Sequence, residues 1–208
     1  DLQGVIAKLD YIAKLGANAI SFTPLFESGS LLKSDASTFH HIDNNFGPDP
    51  DGDTTTWARE NPVDPKTWRW TSADKLFLKL IKEAHKRNIR VLTELVVNHT
   101  SDQHPWFQRA RRAPKGSAER NYYVWSDTDE KYAGTRIIFI DTEKSNWTLD
   151  PVRKQYFWHR FFSHQPDLNY DNPDVRKAIL DVMRSWIDRG LDGFRCDAVP
   201  YLVEREGT

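Results

Sequence analysis

Near its end the sequence reads "RGLDGFRCDAVPYLVEREGT", an apolar strand-like run that carries Arg195 and Asp197 two residues apart. Residues two apart on a strand project to the same side, so the guanidinium and the carboxylate share a face and can pair. Two chemistries fit that spacing. One is a structural ion pair. The other is a carboxylate at the mouth of a parallel sheet, held ionised by its arginine, where ligands bind. A second polar group closes an apolar run in "IRVLTELVVNHTS", which ends in Asn98 and His99, and "ANAISFTPLFE" ends in Glu27.

Three helical segments position these ends. In "LQGVIAKLDYIAKLG", Val5, Ile6, Leu9, Ile12 and Ala13 form one stripe, and Gly16 supplies the stop. In "TSADKLFLKLIKEAHKRN", Thr71 and Asp74 suit a capping box, and Leu76, Phe77, Leu80, Ile81 and Ala84 form the buried face. In "NPDVRKAILDVMRSWIDRG", Asn172 caps, Pro173 takes the first position and Gly190 ends the helix. Helix and strand alternate, which predicts a parallel α/β sheet of buried strands with right-handed crossovers. Its polar strand ends then share the edge where such folds build sites. Two stretches interrupt the pattern: residues 28–70, polar and rich in Asp, Pro and Thr, and residues 101–166, irregular and aromatic.

Composition narrows the partners. Among 208 residues the net charge is −1, giving no electrostatic case for nucleic acid or an anionic membrane. No run reaches transmembrane length, and no signal-peptide pattern opens the chain. The single cysteine, Cys196, excludes an intrachain disulfide and a cysteine metal cluster. Neither His99 nor His40 and His41 has zinc-ligand spacing; the latter two read as loop hydrogen-bonders. Eight tryptophans stand out in a chain only 38% hydrophobic. Flat rings suit sugar faces, but most of the aromatics between Trp106 and Trp158 are expected to pack a small domain.

"ELVVNHTS" and "GFRCDAV", separated by the aromatic excursion and "QPDLNYDNP", resemble the α-amylase family, glycoside hydrolase family 13. The resemblance covers essentially the whole chain in family order. It implies a partial (β/α)₈ TIM barrel, roughly strands two to four with their helices, plus an inserted domain B. Residues 1–100 would be the N-terminal part of the barrel, 101–166 the domain B-like insertion, and 167–208 the barrel continuation with the nucleophile strand. The first part is similar to bacterial amylases and neopullulanases and the second to trehalose synthases, which suggests a recombined or engineered chain with a junction near residues 89–95.

By that resemblance Asp197 corresponds to the catalytic nucleophile and Arg195 to the arginine that holds it ionised. His99 and Asp35 correspond to sugar-binding residues. Ser34 stands where the family has a stacking tyrosine, Leu32 where relatives often carry His, and Cys196 replaces a leucine as a small buried hydrophobe. A Ca²⁺ ion is implied at Asn98, Asp167, the carbonyls of Tyr201 and Leu202, and Glu204, all oxygen donors as a hard cation requires. Retaining glycosidases need two carboxyl groups about 5–5.5 Å apart. The family's acid/base glutamate belongs to a fifth strand, beyond the region of resemblance. Glu94, a carboxyl in residues 127–174, or a second chain are the stand-ins within reach of the sequence.

Two functions are therefore expected. One is an α-glucan-active retaining enzyme that hydrolyses α-1,4 links or isomerises maltose to trehalose, cytoplasmic if like trehalose synthase. The other is a half-barrel that binds sugar or Ca²⁺ without turnover, or that acts only as a homo-oligomer through open sheet edges.

Overall fold

The computed structural model describes residues 1–61 and 64–206. In chain order its regular elements are α1 (Leu2–Lys14), β1 (Ala19–Phe22), α2 (Pro50–Trp57), α3 (Ser72–His85), β2 (Arg90–Val96) and α4 (Pro105–Ala110). There follow β3 (Trp125–Ser126), β4 (Trp147–Asp150), β5 (Gln155–Trp158), α5 (Pro173–Asp188) and β6 (Gly193–Asp197). The chain forms two units, residues 1–33, 38–95 and 180–196 in one, and 34–37, 96–179 and 197–208 in the other. No helix among the described residues is long and apolar enough to cross a membrane.

The first unit is built on a sheet ordered β1-β2-β6. β1 and β2 run parallel in the register Ala19↔Arg90 to Phe22↔Thr93, as the helix–strand alternation predicts. Local chemistry sets the helix ends. The Thr71 hydroxyl accepts from the Asp74 amide at 3.0 Å, and the Asp74 carboxylate accepts from the Thr71 amide at 3.0 Å, completing the predicted capping box. Asn172 Oδ1 accepts from the Asp174 amide at 2.9 Å at the start of α5. Gly16 and Gly190 take positive φ (82° and 106°), where a Cβ would be strained, and so release the chain from α1 and α5.

Phe77, Leu80, Ile81 and Ala84 of α3 are buried, with Leu76 at the margin. Trp186 is fully buried against Phe26 and Phe77, and its indole N–H donates to the Phe39 carbonyl at 2.9 Å. Removing a large side chain from water in this way contributes about 2–3 kcal/mol, and the hydrogen bond spares a buried donor.

Strand burial departs from expectation. Only the central β2 is well covered, with Val91, Thr93, Leu95 and Val96 buried. β1 alternates exposed and half-buried residues, and in β6 Arg195 and Cys196 are exposed. Cys196 is therefore not the buried hydrophobe expected. Both strands are sheet edges, and an edge strand's burial depends on what lies beside it, which its own apolar composition does not supply.

The second unit holds the aromatic excursion, which folds as an antiparallel sheet ordered β3-β5-β4. Trp147 pairs with Trp158 and Trp125 with Phe157 across the ladders. Phe107 of α4 stacks on Trp125 with ring centroids 5.6 Å apart and meets Phe157 edge-on at 5.2 Å. Trp106, Phe107, Tyr123, Trp147, Phe157 and Trp158 are buried, so these rings are mainly core. Arg111 forks onto the buried Asp150 carboxylate (Nε–Oδ2 3.0 Å, Nη2–Oδ1 2.8 Å) and ties the end of α4 to β4.

Candidate active and cation site

Asp197 is the last residue of β6 and is half-buried. Ala198 follows in the left-handed region (φ 56°, ψ 21°), which a non-glycine residue adopts at a cost of about 1 kcal/mol. The turn ends the strand abruptly at the carboxylate. Arg195, on the same strand, places Nη1 2.8 Å from Glu94 Oε1 on β2. A guanidinium only donates, so Glu94 is the acceptor of this contact.

A second group of residues gathers around the segment 166–169, whose backbone bonds to three other segments of its unit. The Leu168 amide donates to the Asn98 carbonyl (2.9 Å), the Asp167 amide to the Trp158 carbonyl (3.0 Å), and the Asn169 amide to the Tyr122 carbonyl (2.8 Å). His99 and Asp167 form a β-bridge. This backbone lattice brings the side chains of Asn98 and Asp167 into the interior, 1% and 3% exposed. Asp167 Oδ1 accepts from the Arg160 amide at 3.1 Å. Asp167 Oδ2 and Asn98 Oδ1 have no hydrogen-bond partner among the described residues.

Burial pushes the Asp167 carboxyl well above the usual carboxylate range, with the Arg160 amide and the Asn98 side chain opposing it. Two buried acceptors left without a donor are costly, roughly 1–3 kcal/mol each or more for a charged group. Glu204 Oε1 lies 3.8 Å from Arg160 Nε, and burial raises its carboxyl too, against the Arg160 charge. Tyr201 joins the group, its ring 5.1 Å from the Arg160 guanidinium and 5.5 Å from Phe161. Asn98, Asp167, Tyr201 and Glu204 are thus linked through Arg160 and Phe161; Leu202 follows Tyr201 directly at the end of a short 3₁₀ turn. Arg160 escaped the sequence reading, its only signal being a charge inside the aromatic run "FWHRFF".

His99 is buried. Its Nε2 lies 3.1 Å from the Ser34 carbonyl and its Nδ1 3.3 Å from Asn98 Nδ2. Burial pulls its pKa down to about 4, with the Ser34 contact opposing, so the ring is neutral at pH 7. Asp35 is buried, 3.9 Å from His164 Nε2, on a loop held by the Ser101 amide donating to the Ala36 carbonyl (2.9 Å).

In the first unit His41 is the loop hydrogen-bonder expected of it. Its two ring nitrogens sit 2.7 Å from Asp74 Oδ2 and 2.7 Å from Glu60 Oε2. Among the described residues, no three His, Cys, Asp or Glu side chains cluster as metal ligands. Any ion would therefore need amide and backbone oxygens as well.

A family model described as "Alpha amylase, catalytic domain" matches residues 1–56 and 71–208. Trehalose synthase/amylase TreS of Mycolicibacterium smegmatis is 49% identical over the whole chain, which covers 31% of that protein. A trehalose synthase of Thermus thermophilus is 47% identical over the whole chain, covering 19% of its length. The crystal structure of isomaltulose synthase (PalI) from Klebsiella sp. LX3 superposes on the full chain with a TM-score of 0.78 at 33% identity, and the chain covers 33% of it. The chain thus spans about a third or less of the relatives it matches. The fold is a partial (β/α)₈ barrel carrying an inserted antiparallel sheet. On sequence and structure together, the chain belongs to the α-amylase family.

Proposed function

We propose that the protein acts on α-linked glucosides by a retaining mechanism, with Asp197 as nucleophile. Of the two expected activities, maltose–trehalose isomerisation with accompanying α-1,4 hydrolysis is favoured, because a trehalose synthase/amylase and a trehalose synthase are 49% and 47% identical along the entire chain. The observation that carries the reading is the place of Asp197, half-buried at the end of its strand and immediately before the left-handed Ala198. In this scheme Asp197 attacks the anomeric carbon as the glycosidic bond breaks, and a second carboxyl group protonates the leaving oxygen. Glu94 is a poor candidate for that acid, since it faces the Arg195 guanidinium as an acceptor.

A Ca²⁺ ion fits the second group of residues. Asn98, Asp167, Glu204 and the carbonyls of Tyr201 and Leu202 would hold it, and it would staple the segments that carry them. The unpartnered Asn98 Oδ1 and Asp167 Oδ2 support this, because a cation satisfies two buried oxygens that no donor reaches.

The test of the nucleophile uses an α-glucosyl fluoride with a fluorinated ring. Fluoride departs without a general acid, so the covalent step is isolated from the second carboxyl group. Mass spectrometry of the digest should find a glucosyl adduct on the peptide containing Asp197, and none in Asp197→Asn. An adduct on a different carboxylate, or none in the wild type, removes Asp197 as nucleophile.

A further inference from the structure

The contacts of His99 point toward its neighbour Asn98 as well as toward the loop that carries Asp35. We propose that His99 is a positioning residue for the cation site, fixing through its ring which end of the Asn98 amide faces the ion. The proposal rests on the Ca²⁺ reading above.

The argument is one of donors and acceptors. The Ser34 carbonyl, 3.1 Å from Nε2, can only accept, so Nε2 carries the ring proton. The Asn98 amide nitrogen, 3.3 Å from Nδ1, can only donate, so Nδ1 is the bare lone pair. With the nitrogen of the amide turned to the ring, Oδ1 is left on the other side, buried and without a partner among the described residues. Asp167 Oδ2 is in the same condition, and Asp167 is bridged to His99 through the backbone. Turning the amide over would set its oxygen against Nδ1. That contact is repulsive unless the ring takes a second proton, a charge in a site the chain buries almost completely.

The relay starts from a main-chain atom, so the serine at position 34 does not break it. Gln165 Nε2, 3.3 Å from Ser34 Oγ, helps to hold that carbonyl in place. Groups that orient a metal ligand from behind it are commonly worth about 10–100-fold in metal affinity.

Two substitutions separate the ring's nitrogens. His99→Asn keeps a short amide whose oxygen stands near the position of Nδ1. His99→Gln reaches the position of Nε2 and leaves Nδ1 vacant. Calcium titration by calorimetry should give a His99→Gln affinity about 10–100-fold weaker than wild type, with His99→Asn within about threefold. Equal affinities, or the reverse order, overturn the assignment. A second measurement needs no variant: long-range ¹H–¹⁵N correlation of the wild-type imidazole should show protonated Nε2 and bare Nδ1. The opposite tautomer overturns the relay. A wild type that takes up no Ca²⁺ overturns the cation reading and with it the positioning role, and the calorimetric baseline identifies that failure as distinct from a wrong order of variants.

Discussion

Arg195 of β6 reaches Glu94 of the adjacent strand β2, Nη1 to Oε1 at 2.8 Å, with 57% of the arginine side chain exposed and 17% of the glutamate. The arginine expected to serve Asp197 thus also has a carboxylate partner across the sheet. An ion pair this open to solvent is worth about 0–1 kcal/mol. Glu94→Gln should therefore lower unfolding free energy by no more than about 1 kcal/mol, read from denaturant midpoints. The same variant decides whether Glu94 is a proton donor. Loss of a general acid costs about 10²–10⁴-fold, whereas a partner of Arg195 should cost less than about tenfold on an aryl α-glucoside. A hundredfold loss would return Glu94 to the catalytic machinery.

His41 should make stability depend on pH. Burial, the largest single influence, lowers its pKa, but hydrogen bonds and charge from Asp74 and Glu60 together raise it to about 9. Arg189, stacked on Trp186 and Trp70, lies in the field of the same two carboxylates. The folded pKa is above the unfolded value of about 6.5, so the contribution is complete below pH ~6.5 and fades as pH rises through 9. Its size is about 3 kcal/mol. Urea unfolding at pH 6, 7.5 and 9 should show stability falling along that series. His41→Gln should be less stable at pH 6 and should flatten the decline. A wild-type profile level from pH 6 to 9 would show that the imidazolium is not held.

Removal of Ca²⁺ should be visible in the melting temperature. An ion that binds only the folded chain contributes RT ln(1 + [L]/Kd), about 2.7 kcal/mol at a hundredfold excess over Kd. For a chain of this size that is a shift of about 5–10 °C on adding EDTA. Asp167→Asn keeps the shape of the side chain but not its charge, and should melt at the same temperature with and without chelator. A chelator-insensitive wild type would reduce Asp167 to a turn residue.

Much of this protein was legible because the deciding interactions are local. Thr71 and Asp74 are three residues apart, Asn172 and Asp174 two, and Gly16 and Gly190 act at their own backbone, so caps and stops declare the helices without any tertiary knowledge. The helix–strand alternation declares the parallel α/β sheet in the same way, whereas the barrel and the candidate site residues were implied by the resemblance that "NHTS" and "GFRCDAV" carry. What the chain did not declare depends on partners far along it. His41 meets Glu60 and Asp74, 19 and 33 residues away, and no local pattern marks those pairs. Arg195 bonds Glu94 because β6 lies beside β2, a fact of sheet order. The exposure of Cys196 follows from an edge position, and burial is a property of neighbours more than of a strand's own residues. His99 stands 3.3 Å from the Asn98 amide nitrogen and 3.1 Å from a carbonyl 65 positions away, so residue types determined which atoms can donate and accept, and packing alone decided which of them meet.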